Sequence, residues 1–402
     1  MRRAVLSLLA LTLSCLARDI RVGDDVKTIA AAIKLAQPGD TIHLQPIVYR
    51  DYAGFYGKMG EPGKPITLDG HGATLEGSDP LDPRKWNEMS PGLFEAKDLL
   101  PRLDDAIIMR WFFLWDGKMN HMGRTSKGKK AAFMRPQDLK PGEWTFVRDA
   151  ARDKAGSTQI FGSFFIRLAD GQKLADARIF VPVRSAGVQF SGANAHLVIR
   201  NITATHPYND GFNIHGDCRD VVFENIRAIE CGDDGISAHE SAEYRVDGLV
   251  AIGNSTGITD TVAAKTTYRH VFLADNLAFD LYFLNDGRYA VSDAVVISTS
   301  EHALQVVAGK GQHSELRLDN VLIHREGPKG SAAVAKDAML FARRFTLEGD
   351  ELKAVGKVEI DGTPAERQAL IEALVPSEYR SRLAQSAQRL LGLCGVLGDL
   401  CL

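Results

Sequence analysis

A short motif recurs between residues 196 and 325, and its period lies in the low twenties. Each copy is a polar residue followed by an apolar one, directly or after one small residue. The polar residues are Asn201, Asn225, Asp247, His270, Asp293 and Asn320, so the steps are 24, 22, 23, 23 and 27 residues. A repeat of this length that contains several short strands is typical of a solenoid, in which each copy forms one coil.

The repeat favours a parallel β-helix over other solenoids of similar period. Leucine-rich repeats have the same length, but they need a recurring leucine pattern that this segment lacks. We therefore predict an all-β fold, a right-handed parallel β-helix whose stacked coils lie about 4.8 Å apart. The recurring asparagines and aspartates are expected at corners, where a side-chain amide can bond its own turn and the amide stacked above it.

The segments outside the repeat predict a cap, an insertion and a tail. Apolar residues at helical spacing within 26–36 predict a short helix that covers the first coil. Residues 81–180 hold all four tryptophans and five of the eight methionines, which predicts a β-rich insertion. Its aromatic side chains form either a small local core or a sugar-binding wall. Helical periodicity at 365–374 and 377–391 predicts a tail that covers the last coil or packs along one side.

The first 17 residues are typical of an export signal. Arg2 and Arg3 precede an apolar run, 4–16, that is too short to anchor the chain in a membrane. We expect a secreted or periplasmic protein, with lipid attachment at Cys15 as the alternative. The predicted segments are the signal 1–17, a cap with the first coils 18–80, the insertion 81–180, further coils 181–335 and a helical tail 336–402.

Four cysteines remain beyond the export signal, and they allow two interpretations. Cys394 and Cys401 could close the tail with a disulfide in an oxidising compartment. Cys218 and Cys231 could form a second disulfide or be small buried residues of the stacked core. None of them has the spacing of a zinc site.

Composition excludes two classes of protein. The chain has 48 basic and 51 acidic residues, a formal charge of −3, which excludes nucleic-acid binding driven by bulk positive charge. Its hydrophobic content of 45% excludes a disordered chain. We expect no transmembrane anchor, and a monomer.

The coil period converts sequence spacing into spatial neighbours. Three polar pairs share an offset of 24 residues, so each pair should stack on adjacent coils about 5 Å apart. These pairs are Asn209 and Asp233, Asp210 and Asp234, and His215 and His239. The pattern predicts a patch of three carboxylates and two imidazoles at one strand–turn edge.

Three interpretations of this patch stay open. In a hydrolase, one carboxylic acid protonates the leaving oxygen while a second activates water or attacks the sugar. In a lyase, the carboxylates Asp210, Asp233 and Asp234 hold calcium, and a neutral His or Lys removes the C5 proton of a uronic acid. In the third interpretation, the residues are exposed turn formers without a catalytic role. No cofactor other than calcium is indicated.

The coil period also predicts a second row of stacked residues, and most of them are basic. Counting eighteen residues from each of the first four repeat positions, and seventeen from Asp293, gives Arg219, Glu243, Lys265, Arg288 and Lys310. Four of these five are basic, and a basic stripe would suit an acidic polysaccharide. The alternative is a solvated row of charged turn residues.

Two stretches resemble the pectin-lyase-like superfamily of right-handed parallel β-helix proteins. Residues 28–44 with 63–68 are similar to the first coils of the alginate lyase and chondroitinase branch. Asn209-Asp210-Gly211-Phe212 followed by Gly232-Asp233-Asp234-Gly235-Ile236 is similar to the polygalacturonase branch. That branch also carries a Gly-His-Gly one coil further on, where this sequence has Gly253-Asn254-Ser255-Thr256-Gly257 without a histidine, and an Arg-Ile-Lys, which this sequence lacks. The lyase branch implies a lysine base with an arginine nearby, often aided by calcium.

We therefore expect an exported carbohydrate-active β-helix protein that cleaves glycosidic bonds of a polysaccharide or oligosaccharide. The basic row favours an acidic polysaccharide. The enzyme would be a polysaccharide lyase or a glycoside hydrolase. The alternative is a non-catalytic carbohydrate-binding or structural surface protein. The expected catalytic residues are Asp210, Asp233, Asp234, His215 and His239. The expected substrate-binding residues are Asn209, Lys265, Arg288 and Lys310.

Overall fold

The computed structural model describes residues 17–383 and contains two parallel sheets that stack coil upon coil. The long sheet consists of Asp19–Arg21, Thr41–His43, Val48–Tyr49, Ile66–Glu76, Asn194–Thr205, Cys218–Ile229, Glu243–Ile252, Lys265–Ala274, Arg288–Ser298, Glu315–Arg325, Met339–Glu348 and Lys357–Ile360. The short sheet consists of Ala53–Tyr56, Val188–Ser191, Phe212–Ile214, Asp234–Ala238, Thr256–Asp260, Phe279–Leu284, His302–Val307, Ser331–Val334 and Leu352–Ala354. The predicted parallel β-helix is confirmed.

The recurring polar residues bend the long-sheet strands. Asn201, Asn225, His270, Asp293 and Asn320 all have a positive φ between 48° and 58°. This left-handed conformation favours asparagine and aspartate over other residues with a side chain. At the third repeat position, Asp247, the bend falls on the next residue, Gly248, at φ 86°. Each long strand therefore turns a corner at its polar residue.

The predicted amide ladder is present at these corners, although part of it faces solvent. Asn225 Nδ2 donates to Asn201 Oδ1 (3.0 Å), and Asn320 Nδ2 donates to Asp293 Oδ1 (2.9 Å). The Asn225 side chain is exposed. Its contribution to stability therefore comes mainly from its backbone conformation.

Replacement of Asn225 tests this explanation. We expect Asn225→Leu to lower the free energy of unfolding by about 1–2 kcal/mol, because leucine tolerates the left-handed conformation poorly. Asn225→Gly should change it by less than about 0.5 kcal/mol, because glycine adopts this conformation freely. Urea unfolding of both variants measures the difference. Equal losses in the two variants would show that the amide bond, and not the corner, carries the effect.

Alternating side chains of both sheets fill the interior of the coils. Within one long strand Leu197, Ile199, Ile202 and Ala204 are all at most 2% exposed. Each of these larger aliphatic side chains stabilises the fold by roughly 1.5–3 kcal/mol. Because coils stack in register, every such row runs through the solenoid as a continuous core.

One carboxyl group lies inside this core. Asp260 is completely buried and accepts hydrogen bonds from the hydroxyls of Tyr244 (3.2 Å), Tyr268 (2.9 Å) and Thr266 (2.5 Å). Burial raises the pKa of Asp260 to about 7, and these hydrogen bonds offset only part of the effect. The carboxyl group therefore keeps its proton in the folded state at a pH at which the unfolded chain has lost it.

Asp260 should make stability depend on pH. Because its pKa in the folded state lies above the ordinary value of 3.8, the free energy of unfolding should fall as the pH rises from about 4 to about 7. The loss should amount to about 4 kcal/mol at most. Asp260→Asn cannot ionise and should lose this part of the pH dependence. Burial also raises the pKa of Asp280 to about 6, so part of the pH dependence should remain in this variant. An unchanged pH profile in Asp260→Asn would contradict this account of the core.

A helix covers the first coils, as the sequence predicts. It spans Ile29–Leu35, and the Thr28 side chain caps it by accepting a hydrogen bond from the Ala31 N–H (3.1 Å). Its buried residues Ile29 and Ile33 join the main core. The apolar core of the solenoid is therefore closed at this end.

The insertion forms two antiparallel sheets beside the solenoid. One contains Ser78–Pro80, Phe113–Trp115, Lys118–Asn120 and Ile179–Pro182, and the other contains Asn87–Ser90, Leu93–Lys97, Trp144–Arg148 and Gly162–Arg167. Short helical turns at Pro83–Lys85, Asp105–Met109, Pro136–Asp138, Ala150–Arg152 and Leu174–Asp176 connect them. Trp86, Trp111 and Trp144 are at most 6% exposed and pack in one cluster. Of the two alternatives, these tryptophans form a local core.

The coils continue past residue 335, where the sequence analysis placed their end. Strands at Met339–Glu348, Leu352–Ala354 and Lys357–Ile360 extend both sheets, and the helix Arg367–Leu374 follows. Residues 377–383 are also helical. The tail packs along one side, since Leu370, Val375 and Tyr379 cover long-sheet residues.

Cys218 and Cys231 are free and buried in the core, which decides between the two interpretations of this pair. The predicted export signal, apart from Ala17, and the helical stretch beyond residue 383 lie outside the described residues, as do Cys15, Cys394 and Cys401. No helix within residues 17–383 has the length and apolar character that a membrane crossing requires.

Candidate active site

The insertion leaves the solenoid at the corner that also carries the predicted acidic patch. The chain leaves the solenoid after Glu76 and rejoins it before Val188. On the next two coils, the corresponding corner carries Asp210 and Asp234. The Gly211 N–H donates to the Asp234 carbonyl across these corners (2.8 Å). The insertion therefore begins and ends one coil away from the acidic patch, and its loops contact that patch.

Asp210 and Asp234 lie on neighbouring coils, as the 24-residue offset predicts. The strands that follow them pair Phe212 with Ile236. The Asp234 N–H donates to Asp210 Oδ1 (3.1 Å), and Ser237 Oγ donates to Asp210 Oδ2 (2.7 Å). Both oxygens of Asp210 are used within the coils, so this carboxyl group also braces the turn that carries Asp234.

Two cations from the insertion contact the same cluster. Lys127 Nζ lies 2.6 Å from Asp233 Oδ1 and also bonds Asp234 Oδ1. Arg110 Nη1 lies 2.9 Å from Asp233 Oδ2, and Thr259 Oγ1 donates to Asp234 Oδ1 (2.9 Å). Among the six carboxylate oxygens of the three acids, Asp234 Oδ2 alone has no hydrogen-bond partner within the described chain. This atom is available to a ligand.

Burial and charge divide the three acids into two kinds. Burial opposes ionisation of Asp233, but Lys127 and Arg110 outweigh it and lower its pKa to about 2. Burial, followed by the negative charge of Asp233, raises the pKa of Asp234 well above its ordinary value. The same two causes raise the pKa of Asp210. An ionised carboxylate thus lies beside two carboxyl groups whose pKa values are raised, which is the combination that general acid catalysis uses.

Lys127 is an ammonium ion in this arrangement. Burial would lower its pKa, but the negative charges of Asp233 and Asp234 raise it above its ordinary value. It therefore cannot accept a proton at neutral pH while these contacts hold. Its role in this structure is electrostatic.

His215 and His239 stack beside the acids. Their ring centroids lie 4.0 Å apart, and their planes differ by 7°, so the predicted stacking is confirmed. His215 Nδ1 lies 3.2 Å from Glu240 Oε2. Burial, followed by the charge of His215, lowers the pKa of His239 to about 4. His239 is therefore neutral at pH 7 and can exchange a hydrogen bond with a ligand.

These side chains line one open groove of about 610 Å³, a size typical of ligand sites. All five predicted catalytic residues and Asn209 border it. The groove is lined by Arg110, Lys127, Asn209, Asp210, His215, Asp233, Asp234, His239, Thr259, Thr261, Phe279, Tyr282 and Leu284.

The predicted basic row is not part of this groove. Lys265 and Arg288 are paired neighbours on the long sheet, where they line a different groove. The neighbours on either side of this pair are acidic, Glu243 and Glu315. Lys310 lies in the turn before Glu315, so its predicted alignment is wrong. Arg219 is also one residue out of register, because Val221 pairs with Tyr244 and Asp220 therefore lies beside Glu243.

The three acids do not fit calcium as they are arranged. One oxygen of each lies within 4.8 Å of the others, a spacing that could hold a cation. Calcium, however, needs about six to eight oxygen ligands. Lys127 and Arg110 occupy both oxygens of Asp233, and Lys127 also binds Asp234. The Lys127 ammonium therefore already supplies positive charge to these two acids.

The sequence analysis missed the two cations of the site. Lys127 is 106 residues from Asp233, and Arg110 is 123 residues from it. Neither belongs to the repeat, so the coil period could not place them. The available signal was indirect: a lysine-rich turn at 126–130 inside a segment that had to pack on the solenoid.

No protein-family model matches the chain, and no curated protein matches it. Among solved structures it is similar to a complex of XylC with xylose, at a TM-score of 0.48 and 10% identity over 84% of this chain and 69% of that one. It is also similar to an alginate lyase from Paenibacillus sp., at a TM-score of 0.41 and 10% identity over 87% of this chain and 99% of that one. A third similar structure is pectate lyase Pel9A, at a TM-score of 0.38 and 12% identity over 87% of this chain and 78% of that one. These likenesses carry no argument about function, and the parallel β-helix itself is shown by the strand pairing of the two stacked sheets.

Proposed function

We propose that this protein hydrolyses glycosidic bonds of a polysaccharide in the groove beside the insertion, with Asp234 as the proton donor. One observation carries the proposal. Asp234 Oδ2 has no partner within residues 17–383 and the pKa of Asp234 is raised well above its ordinary value, while Asp233 next to it is paired with both Lys127 and Arg110, which lower its pKa. A proton donor beside a permanent carboxylate is the pairing that glycoside hydrolysis requires.

Each acid has a separate role in this mechanism. Asp234 Oδ2 donates its proton to the glycosidic oxygen as the bond to the sugar breaks. Asp233 supplies the negative charge that stabilises the positive charge developing on the sugar ring, or that orients a water molecule. Asp210 fixes the Asp234 backbone and helps to keep the pKa of Asp234 high. His239 and Asn209 are placed to bind sugar hydroxyls.

Elimination of a uronic acid has weaker support in this groove. It requires a neutral base and a free cation that neutralises the uronate carboxylate. Both cations of the groove are already paired with acids, and Lys127 carries a proton. His239 is neutral and is the group that favours a lyase as the second candidate.

We also infer export from the cytoplasm. The inference is based on the signal-like pattern of residues 1–17 and on the proposed substrate, because polysaccharides of this kind are met outside the cell.

A polysaccharide panel tests the proposal. Neutral substrates such as xylan, mixed-linkage glucan and galactan would be incubated beside alginate, polygalacturonate and chondroitin sulfate. We expect new reducing ends without the ultraviolet absorbance of an unsaturated uronate. Absorbance at the new ends would support the lyase instead. Binding without any cleavage would support the non-catalytic alternative.

A further inference from the structure

The floor of the groove is formed by the outer face of the short sheet. Along its strands, Ile236, Ala238, Ile258, Leu281 and Phe283 belong to the core. Because side chains of a strand alternate between two faces, the residues between and after them face outward. The outward residues on three successive coils are Ser237 and His239, Thr259 and Thr261, and Tyr282 and Leu284, and all of them except Ser237 border the groove. None of these six is a lysine, an arginine or an acid.

The two permanently charged basic side chains of the groove are already paired with acids. Lys127 and Arg110 both bind Asp233, and Lys127 also binds Asp234. An acidic sugar carboxylate would therefore approach a floor without a free cation and a wall that carries the ionised Asp233. Desolvation of that carboxylate would be uncompensated, which is costly.

An aromatic stack forms one end of this floor. Phe279 lies between Tyr282 and His302, with ring centroids 4.2 Å and 4.5 Å away and interplanar angles of 10° and 23°. Phe279 is only 6% exposed, whereas Tyr282 is half-buried and borders the groove. The Tyr282 hydroxyl has no hydrogen-bond partner within residues 17–383. Its ring is therefore held from behind while its hydroxyl stays free.

We propose that the floor from Thr259 to Leu284 is a subsite for a neutral sugar ring, with Tyr282 packed against the apolar face of that ring. This inference rests on the proposed function, since it names the substrate class of the same groove. The Tyr282 hydroxyl offers an uncharged donor and acceptor to sugar hydroxyls. Thr259 already donates to Asp234 and can still accept, and Thr261 already accepts from Asn285 and can still donate. The rigid stack behind Tyr282 reduces the entropy lost when a sugar binds.

Binding measurements on Asp234→Asn test the subsite without interference from turnover. Neutral xylo-, gluco-, galacto- and manno-oligosaccharides would be titrated beside oligogalacturonate, oligoalginate and chondroitin oligosaccharides. We expect a neutral oligosaccharide to bind best, with an affinity that is unchanged between about 50 and 500 mM salt. Tyr282→Ala should weaken this binding about tenfold, and Tyr282→Phe should retain most of it.

Phe341→Ala is the matched control, because Phe341 is a half-buried aromatic residue on the long sheet. It should leave binding unchanged. Tightest binding of an acidic oligosaccharide with a steep salt dependence would overturn the subsite, as would unchanged binding in Tyr282→Ala or the absence of any neutral ligand.

The two proposals fail separately. If an acidic polymer is hydrolysed without unsaturated products and Asp234→Asn abolishes that hydrolysis, the hydrolase proposal stands and the neutral subsite is wrong. If neutral sugars bind through Tyr282 but no polysaccharide is cleaved, the subsite stands and the hydrolase proposal is wrong.

Discussion

Asp234→Asn should fold like the unmodified protein and lose cleavage of its polysaccharide by at least about 10²-fold. Asparagine has the same shape, and its Oδ1 can still accept hydrogen bonds from Lys127 and Thr259. Its amide cannot donate a proton to the glycosidic oxygen. Because one of three crowded acids is removed, stability should stay the same or rise. Initial rates and thermal unfolding of the same preparation separate the two effects.

Asp217→Asn is the control for this substitution. Asp217 is exposed, pairs with Arg219 (2.9 Å) and lies outside the groove. Its replacement should leave the rate within about twofold. The pH dependence gives a further check: the rate should fall as the pH rises through the raised pKa of Asp234, because only its protonated form can act as the acid. An unchanged rate in Asp234→Asn would remove this residue from the mechanism.

Lys127→Met should lower both stability and activity. The substitution leaves Asp233 and Asp234 buried with one cation fewer, a change that typically costs about 3–5 kcal/mol. The loss should be larger at pH 7 than at pH 4, because the acids escape part of the cost by protonation at low pH. Activity should fall by at least about 10²-fold, since Asp233 then loses a charge that keeps it ionised.

Lys129→Met provides the comparison within the same turn. Lys129 is exposed and does not border the groove, so its replacement should change stability by less than about 0.5 kcal/mol. Denaturant unfolding at both pH values, with rates from the same samples, measures the contrast. A loss in Lys127→Met that is equal at pH 4 and pH 7 would contradict the charge argument.

The sequence predicts those features that repeat with the coil. Polar residues at a regular step had to occupy corners, and the 24-residue offset placed Asp210 beside Asp234 and His215 beside His239. Both predictions depend only on stacking in register, which hydrophobic rows enforce along the whole solenoid. The Asp and His patch of the site was therefore accessible from the sequence.

The features that break the period could not be read in this way. Between Arg288 and Glu315 the coil is 27 residues long because the turn 308–314 is enlarged, so counting from Asp293 placed Lys310 wrongly. Lys127 and Arg110 come from the insertion, where contacts with the coils join residues more than 100 positions apart. These two residues set the charge of the site, so the division of acids into donor and anion emerged only from the structure.

Cleavage in water enriched in oxygen-18 tests the central claim most directly. Hydrolysis places an oxygen atom from water on the new reducing end, whereas elimination leaves the glycosidic oxygen on one fragment and a double bond in the other. We predict one oxygen-18 atom per cleaved bond in the products of the unmodified protein, and at least about 10²-fold less labelled product from Asp234→Asn. Unlabelled products with an unsaturated end, or equal labelling by the variant, would contradict hydrolysis at this site.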